Sequence, residues 1–249
     1  MRRRATVWIV VAIAAALAWV GSSSDPAPEP GPAQTAVLVH GLGRTSDSMD
    51  SMAEYLTARG FRAVKLDYPS TDEPPDELIA HLAAEVQSCC AESRRVHFVT
   101  HSLGGILVRA LLARDPLPNL GRVVMLAPPN RGSEIVDAWG DSPLFAWALG
   151  PTAQELGTDA DSLPNRLPAA DYEVGVIAGT DSINPVGSAL IPGESDGTVS
   201  VESTQLPGMT DFVSLPVSHT FIMNAEEVQS QVLHFLKLGR FSRPDAEPE

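Results

Sequence analysis

Ser102 stands in Thr100-His101-Ser102-Leu103-Gly104-Gly105, where a run of alternating apolar residues, Arg95 to Thr100, passes with no intervening loop into a helix-like pattern. A strand that turns straight into a helix forces its corner residue into strained backbone geometry and lifts that side chain clear of the sheet. A serine held there suits nucleophilic attack, and Gly104 lets helix and strand pass closely. Serine at its ordinary pKa is a poor nucleophile, so the chemistry needs a base to take its proton and an acid to orient that base. Of the six histidines, His101 adjoins the serine and is expected to point elsewhere from a tight turn. His40 suits loop scaffolding, His81 and His97 lie upstream on a helix and a strand, and His234 falls inside a helix beside Leu233 and Phe235. His219, in "LPVSHTFIM" after the last strand-like run, is the base that fits a chain order of serine, acid, histidine. Two acids compete: Asp181, directly after a strand in "AGTDSINP", and Asp196, on an Asp-Gly turn in "GESDGTVSVEST". Such a turn can hold a carboxylate over the strand ends, which favours Asp196, although either aspartate also serves simply to shape its own turn. For the oxyanion that forms on attack, one donor is the Leu103 amide at the helix N-terminus and the second is the Leu42 amide of the His40-Gly41-Leu42-Gly43 loop. The five-residue match alone also fits an ordinary helix N-cap; its strand context and the upstream His-Gly loop weigh for the nucleophile.

Holding four such groups together takes a sheet. "TAVLVH", "FRAVKLDYP", "RVHFVT", "RVVMLAPP", "YEVGVIAG" and "DFVSLPV" read as six strands. Between or after them lie "DSMAEYLTARG", "PPDELIAHLAAEVQSCCAE", "GGILVRALLARD" and "EEVQSQVLHFLKLG", with apolar residues at helical spacing. Repeated strand-then-helix order implies parallel strands joined by crossovers, hence a doubly wound, mostly parallel sheet with helices on both faces. Ligands bind such sheets outside the carboxyl ends of the strands, where His40–Gly43, Ser102, Asp181 or Asp196, and His219 are all expected. The long stretch from Arg131 to Pro168, with Trp139, Leu144, Phe145, Trp147 and Leu149, reads equally as a lid over the strand ends and as a crossover helix packed on the sheet.

The chain of 249 residues is long enough for one full core, assigned to residues 35–241. Ahead of it, three arginines, the apolar run Val7 to Val20 and small residues follow the order of a secretory signal over residues 1–21. The run is shorter than the roughly 20 residues that span a bilayer, yet an uncleaved anchor is the alternative to a cleaved signal. Residues 22–34, with Pro26, Pro28, Pro30 and Pro32, form an extended spacer, and 242–249 a disordered polar tail. The expected location is therefore outside the cytoplasm, either secreted or periplasmic, or attached to the membrane. A formal charge of −14 with no basic block past the N-terminus excludes a nucleic-acid partner. Cys89 and Cys90 are adjacent in a helix-like stretch, where successive side chains diverge by about 100°; they read as one core thiol and one partly exposed thiol, not a disulfide. No carboxylate cluster with ligand spacing stands out, so neither metal nor cofactor is expected.

Five pieces, "VLVHGLGR", "THSLGGIL", "LAPPNRGSE", "SDGTVSVEST" and "VSHTFI", spread over most of residues 36–222, give the chain a family resemblance. It resembles an α/β-hydrolase of the lipase-like bacterial esterase branch, similar in pattern to GPI inositol deacylase-like and class 2 lipase sequences. The resemblance implies an α/β-hydrolase fold, a Ser102, Asp196, His219 triad, and hydrolysis of small-molecule or lipid esters through an acyl-enzyme. It is also the better reason for choosing Asp196, because lipases of this type carry an Asp-Gly pair in that region. Thr100 departs from the pattern by replacing the first glycine of the usual elbow. An acyltransferase using the same triad and a non-catalytic exported binding protein on the same scaffold are the competing readings.

Overall fold

The computed structural model describes residues 34–140 and 142–243. The expected leader 1–21, the spacer up to residue 33 and residues 244–249 lie outside the described residues. Six strands form one sheet: β1 (Gln34–Val39), β2 (Arg62–Leu66), β3 (Arg95–His101), β4 (Leu120–Leu126), β5 (Val174–Gly179) and β6 (Asp211–Leu215). Their order is β2-β1-β3-β4-β5-β6, and every neighbouring pair is parallel.

The period-2 pattern of the strands builds a core on each face of this sheet. Val37 and Val39 of β1 point one way with Phe98, Val123 and Val176, and there meet Leu78, Leu82 and Val86 of α2 (Pro75–Cys90) and Ile106 and Leu107 of α3 (Leu103–Arg114). Ala36 and Leu38 point the other way with Val99, Val124 and Ile177, against Met52 and Leu56 of α1 (Asp50–Thr57) and Val228, Val232 and Phe235 of α9 (Glu226–Leu238). Each fully buried side chain of this size contributes roughly 1.5–3 kcal/mol. The β2 edge is guarded by charge: Lys65 is paired with Asp50 and lies 3.6 Å from Asp47, an arrangement that discourages pairing with another strand.

The stretch between β4 and β5 forms α4 (Glu134–Trp139), α5 (Pro143–Gln154) and the single turn α6 (Leu163–Arg166). α5 is broken at Gly150, whose φ of 75° is left-handed and whose Cα lies so near the Thr71 carbonyl that any Cβ would collide with it. Two residues on, Thr152 Oγ1 donates to the Glu73 carbonyl at 2.8 Å. The segment is thus pinned to the loop after β2. Two further single turns or short helices, α7 (Pro185–Leu190) and α8 (Val201–Thr204), lie between β5 and β6.

Two sequence expectations need correction. Cys89 and Cys90 are joined as a disulfide. They are the last two residues of α2, where the final carbonyls lack helical partners and the chain is free to leave the helix. Nor is the expected tail frayed at its start, residues 242 and 243. Phe241 is buried against Phe235, Ser242 exchanges hydrogen bonds with Gln231, and Arg243 pairs with Asp211. An isolated aromatic in a polar run carries no periodic signal, so this docking is not readable from the pattern.

Candidate active site

β3 ends at His101 and α3 begins at Leu103, leaving Ser102 alone on the corner with φ 52° and ψ −124°. That conformation costs a non-glycine residue about 1–3 kcal/mol. It is held by the Ser102 amide donating to Leu126 O at 2.9 Å and by close packing of α3 on the end of β1. A Cβ on Gly104 would lie 2.6 Å from His40 O and 2.7 Å from Val39 O, which is why the residue two after the serine is glycine. Thr100, in the place of the first elbow glycine, is fully buried in β3, and its hydroxyl has no hydrogen-bond partner among the described residues.

His219 follows β6 and is 8% exposed; Asp196 is 2% exposed. His219 Nδ1 lies 2.7 Å from Asp196 Oδ2, and the His219 amide donates to the Asp196 carbonyl at 3.2 Å. The other carboxylate oxygen, Oδ1, accepts from the amides of Thr198 (3.0 Å) and Val199 (2.8 Å). The Asp-Gly turn thus wraps three residues around the carboxylate and aims its free oxygen at the imidazole. A carboxylate oxygen at this distance accepts, so the facing His219 Nδ1 is the nitrogen that donates, leaving Nε2 as the bare acceptor of the neutral ring. Asp181 takes no part. It is exposed, and its Oδ1 accepts from the next amide, Ser182, at 2.9 Å, shaping its own turn.

The remaining histidines divide by environment. His40 is fully buried, stacked on Tyr68 at 4.1 Å, bonded through Nδ1 to its neighbour's carbonyl, and receives the Tyr68 hydroxyl on its own carbonyl at 2.6 Å. Burial pushes its pKa down, consistent with a neutral scaffold for the loop. His101 does not face away as expected. Its ring packs 4.8 Å from that of His219, and its Nε2–H donates to the His219 carbonyl at 3.1 Å, while Nδ1 has no partner among the described residues. Burial holds this imidazole well below its ordinary pKa, so it supports the His219 backbone as a neutral ring.

Ser102, His219 and Leu42 line one cavity of about 260 Å³, walled by Ile135 and Val136 of α4, Leu149 of α5, Leu156 and Val199. The insert between β4 and β5 therefore provides wall for the site, Leu149 among its apolar residues, while Trp139 is about half exposed. Leu103 is buried at the first position of α3, where its amide is one of the unbonded donors of a helix start. Among the described residues no hydrogen bond joins the Ser102 hydroxyl to His219; empty sites commonly hold this bond open and close it on substrate. No group of three His, Cys, Asp or Glu residues among the described residues is arranged to hold a metal ion. Arg44, which borders the same cavity, closes the "VLVHGLGR" piece but is given no role by the sequence, because nothing in the spacing shows what its side chain faces.

A family model described as "Alpha/beta hydrolase family" matches residues 36–221. The chain belongs to the α/β-hydrolase family. Solved structures similar to this hydrolase include the mature lipase BlEst2 of Bacillus licheniformis, 25% identical, with a TM-score of 0.66 over 86% of this chain and 94% of that one. Phospholipase PlaB of Legionella pneumophila is 19% identical, with a TM-score of 0.63 over 82% of this chain and 57% of that one. A metagenomic carboxyl esterase is 20% identical, with a TM-score of 0.63 over 80% of this chain and 71% of that one. The hydrolase has the expected six-stranded parallel sheet with helices on both faces, and among its described residues no helix is long and apolar enough to cross a membrane.

Proposed function

We propose that this hydrolase cleaves carboxylic esters by way of an acyl-enzyme on Ser102. The observation that carries the reading is the buried Asp196–His219 pair, 2.7 Å apart, at the rim of the cavity that also receives Ser102. His219 Nε2 takes the Ser102 proton as Oγ attacks the ester carbonyl, and Asp196 stabilises the imidazolium that results. The Leu42 and Leu103 amides stabilise the oxyanion, whose collapse expels the alcohol with the proton from His219. Water, deprotonated by the same imidazole, then releases the acid and restores Ser102. The lipase and carboxyl esterase among its structural relatives support the ester as substrate class. We propose in addition that residues 1–21 direct export, on the order of basic, apolar and small residues there.

The test is labelling by a fluorophosphonate together with hydrolysis of short acyl aryl esters. Wild type is expected to label once and turn over, and Ser102→Ala to do neither while melting at an unchanged temperature. A folded wild type that labels on no serine would refute the reading. Product analysis with an alcohol acceptor present separates hydrolysis from acyl transfer.

A further inference from the structure

Arg44 follows directly on the His40–Gly43 loop, and its side chain borders two cavities. One is the apolar cavity of about 260 Å³ that holds Ser102 and His219. The other is an open, polar trough of about 590 Å³ between Gly43–Thr45, the loop from Asp67 to Asp72, His81 and Ala148. The same α5 that closes the first cavity with Leu149 borders the second with Ala148.

The guanidinium is half-buried, and one of its nitrogens donates to the carbonyl of Thr220, the residue after His219, at 3.0 Å. Among the described residues no carboxylate lies within ion-pair distance of it, whereas Arg114, Arg122, Arg131, Arg166 and Arg243 each have one. Arg109 is also without a carboxylate and is more deeply buried, but its guanidinium is satisfied by four acceptors on Asn130, Pro164 and Pro168, whereas the partly desolvated Arg44 has one, and burying a charge without partners costs free energy. Guanidinium has five donors in a planar fork suited to carboxylate or phosphate, and the Thr220 carbonyl uses one.

We propose that Arg44 binds an anionic group, a carboxylate or a phosphate, on the alcohol side of the scissile ester. This rests on the reading of Ser102 as nucleophile and sharpens its substrate class. The geometry orders the substrate. An acyl chain fills the apolar cavity, so the alcohol departs toward the trough, and Arg44 stands where the two meet. The trough also carries acidic groups. Asp67, which accepts the Ser46 amide and lies 3.5 Å from His40, and the exposed Asp72 line it together with Arg44. An anion there is therefore held through Arg44, the one arginine or lysine among the described lining residues.

The experiment compares three butyryl esters on the full chain: that of methyl 4-hydroxybenzoate (neutral), that of 4-hydroxybenzoate (carboxylate) and that of glycerol phosphate (phosphate). Wild type is expected to favour at least one anionic member over the neutral one in kcat/KM, and the favoured member identifies the anion. In Arg44→Gln that ratio is expected to fall about 10- to 100-fold, the worth of a charge-assisted hydrogen bond, through KM, and Arg44→Lys is expected to recover part of it. If wild type shows no anionic preference, or if Arg44→Gln lowers all three equally, the arginine serves only to hold Thr220 and the proposal is overturned. A second measurement does not depend on turnover. Calorimetric titration of inorganic phosphate and of 4-hydroxybenzoate into Ser102→Ala should show binding that Ser102→Ala/Arg44→Gln lacks, and equal binding or none in both overturns the assignment. Loss of turnover with that binding intact points instead to a fault in the ester reading.

Discussion

Replacing Asp196 by asparagine tests the site at its most constrained point. The backbone amides of Thr198 and Val199 both donate to Oδ1, so the carboxamide oxygen of an asparagine must occupy that position to keep them satisfied. Its NH2 group then replaces Oδ2 and faces His219 Nδ1 across 2.7 Å. Two donors cannot share that contact; the imidazole must give up its Nδ1 proton and carry one on Nε2 instead, toward Ser102. The flip removes the base at the moment the serine needs it, and the imidazolium also loses its counter-charge. A wrong-tautomer histidine in such a relay costs about 10⁴-fold in kcat, or about 5 kcal/mol at 1.36 kcal/mol per decade. The assay is kcat on a short acyl aryl ester, with a thermal melt to show that the fold is retained. Asp181→Asn, which changes one local turn bond, is expected to stay within about twofold, since exposed substitutions seldom matter. Asp196→Asn retaining more than a tenth of wild-type turnover, or Asp181→Asn losing most of it, would refute the reasoning.

Gly104→Ala must push backbone at His40 or Val39 aside and is expected to cost about 1–3 kcal/mol, read as a lower melting temperature together with a reduced kcat. His97, fully buried in β3, donates through Nε2 to Gln34 and accepts the Arg122 amide on Nδ1; burial lowers its pKa to about 4. The folded state thus resists a proton that the unfolded chain accepts near pH 6.5. Its contribution is complete above that pH and is lost as pH falls from 6.5 toward 4, by roughly 3 kcal/mol in all. Urea unfolding at pH 7 and pH 4.5 should show His97→Gln with a smaller pH dependence than wild type. Deleting residues 1–33, which precede β1, is expected to leave a folded protein with unchanged ester turnover; loss of activity without loss of fold would give that segment a part in the site.

The six strands are legible because each alternates or runs apolar over five to seven residues and is bounded by glycine, proline or a charged turn. The elbow is legible for the same reason: β3 and α3 are both strongly patterned, so the residue between them is fixed to within one position. Asp196 is different. It lies on a loop with no periodicity, separated from β5 by α7, and spacing alone left it in competition with Asp181; only the folded turn shows its two amides and its contact with His219. The joined Cys89–Cys90 pair and the inward turn of His101 were misread because both were judged by ideal local geometry, which fails at a helix end and beside a strained corner. Arg44 lies in one of the family-like pieces, yet its role has no signal there, since its meaning comes from two cavities that exist only after β1, β2 and the α5 insert meet.

The parallel sheet has a directional consequence. Ser102, His219 and the His40 loop follow the carboxyl ends of β3, β6 and β1. Gln34 opens β1 at the opposite edge, paired with Arg95 at the start of β3, and Arg243 is bonded to Asp211 at the start of β6. Both ends of the described chain thus emerge from one side of the sheet, and the cavity opens on the other, a strand length of about 20 Å away. A tag, fusion partner or solid support joined directly at residue 34 or 243 grips the enzyme from behind, leaving the mouth of the cavity turned toward whatever it is to cleave.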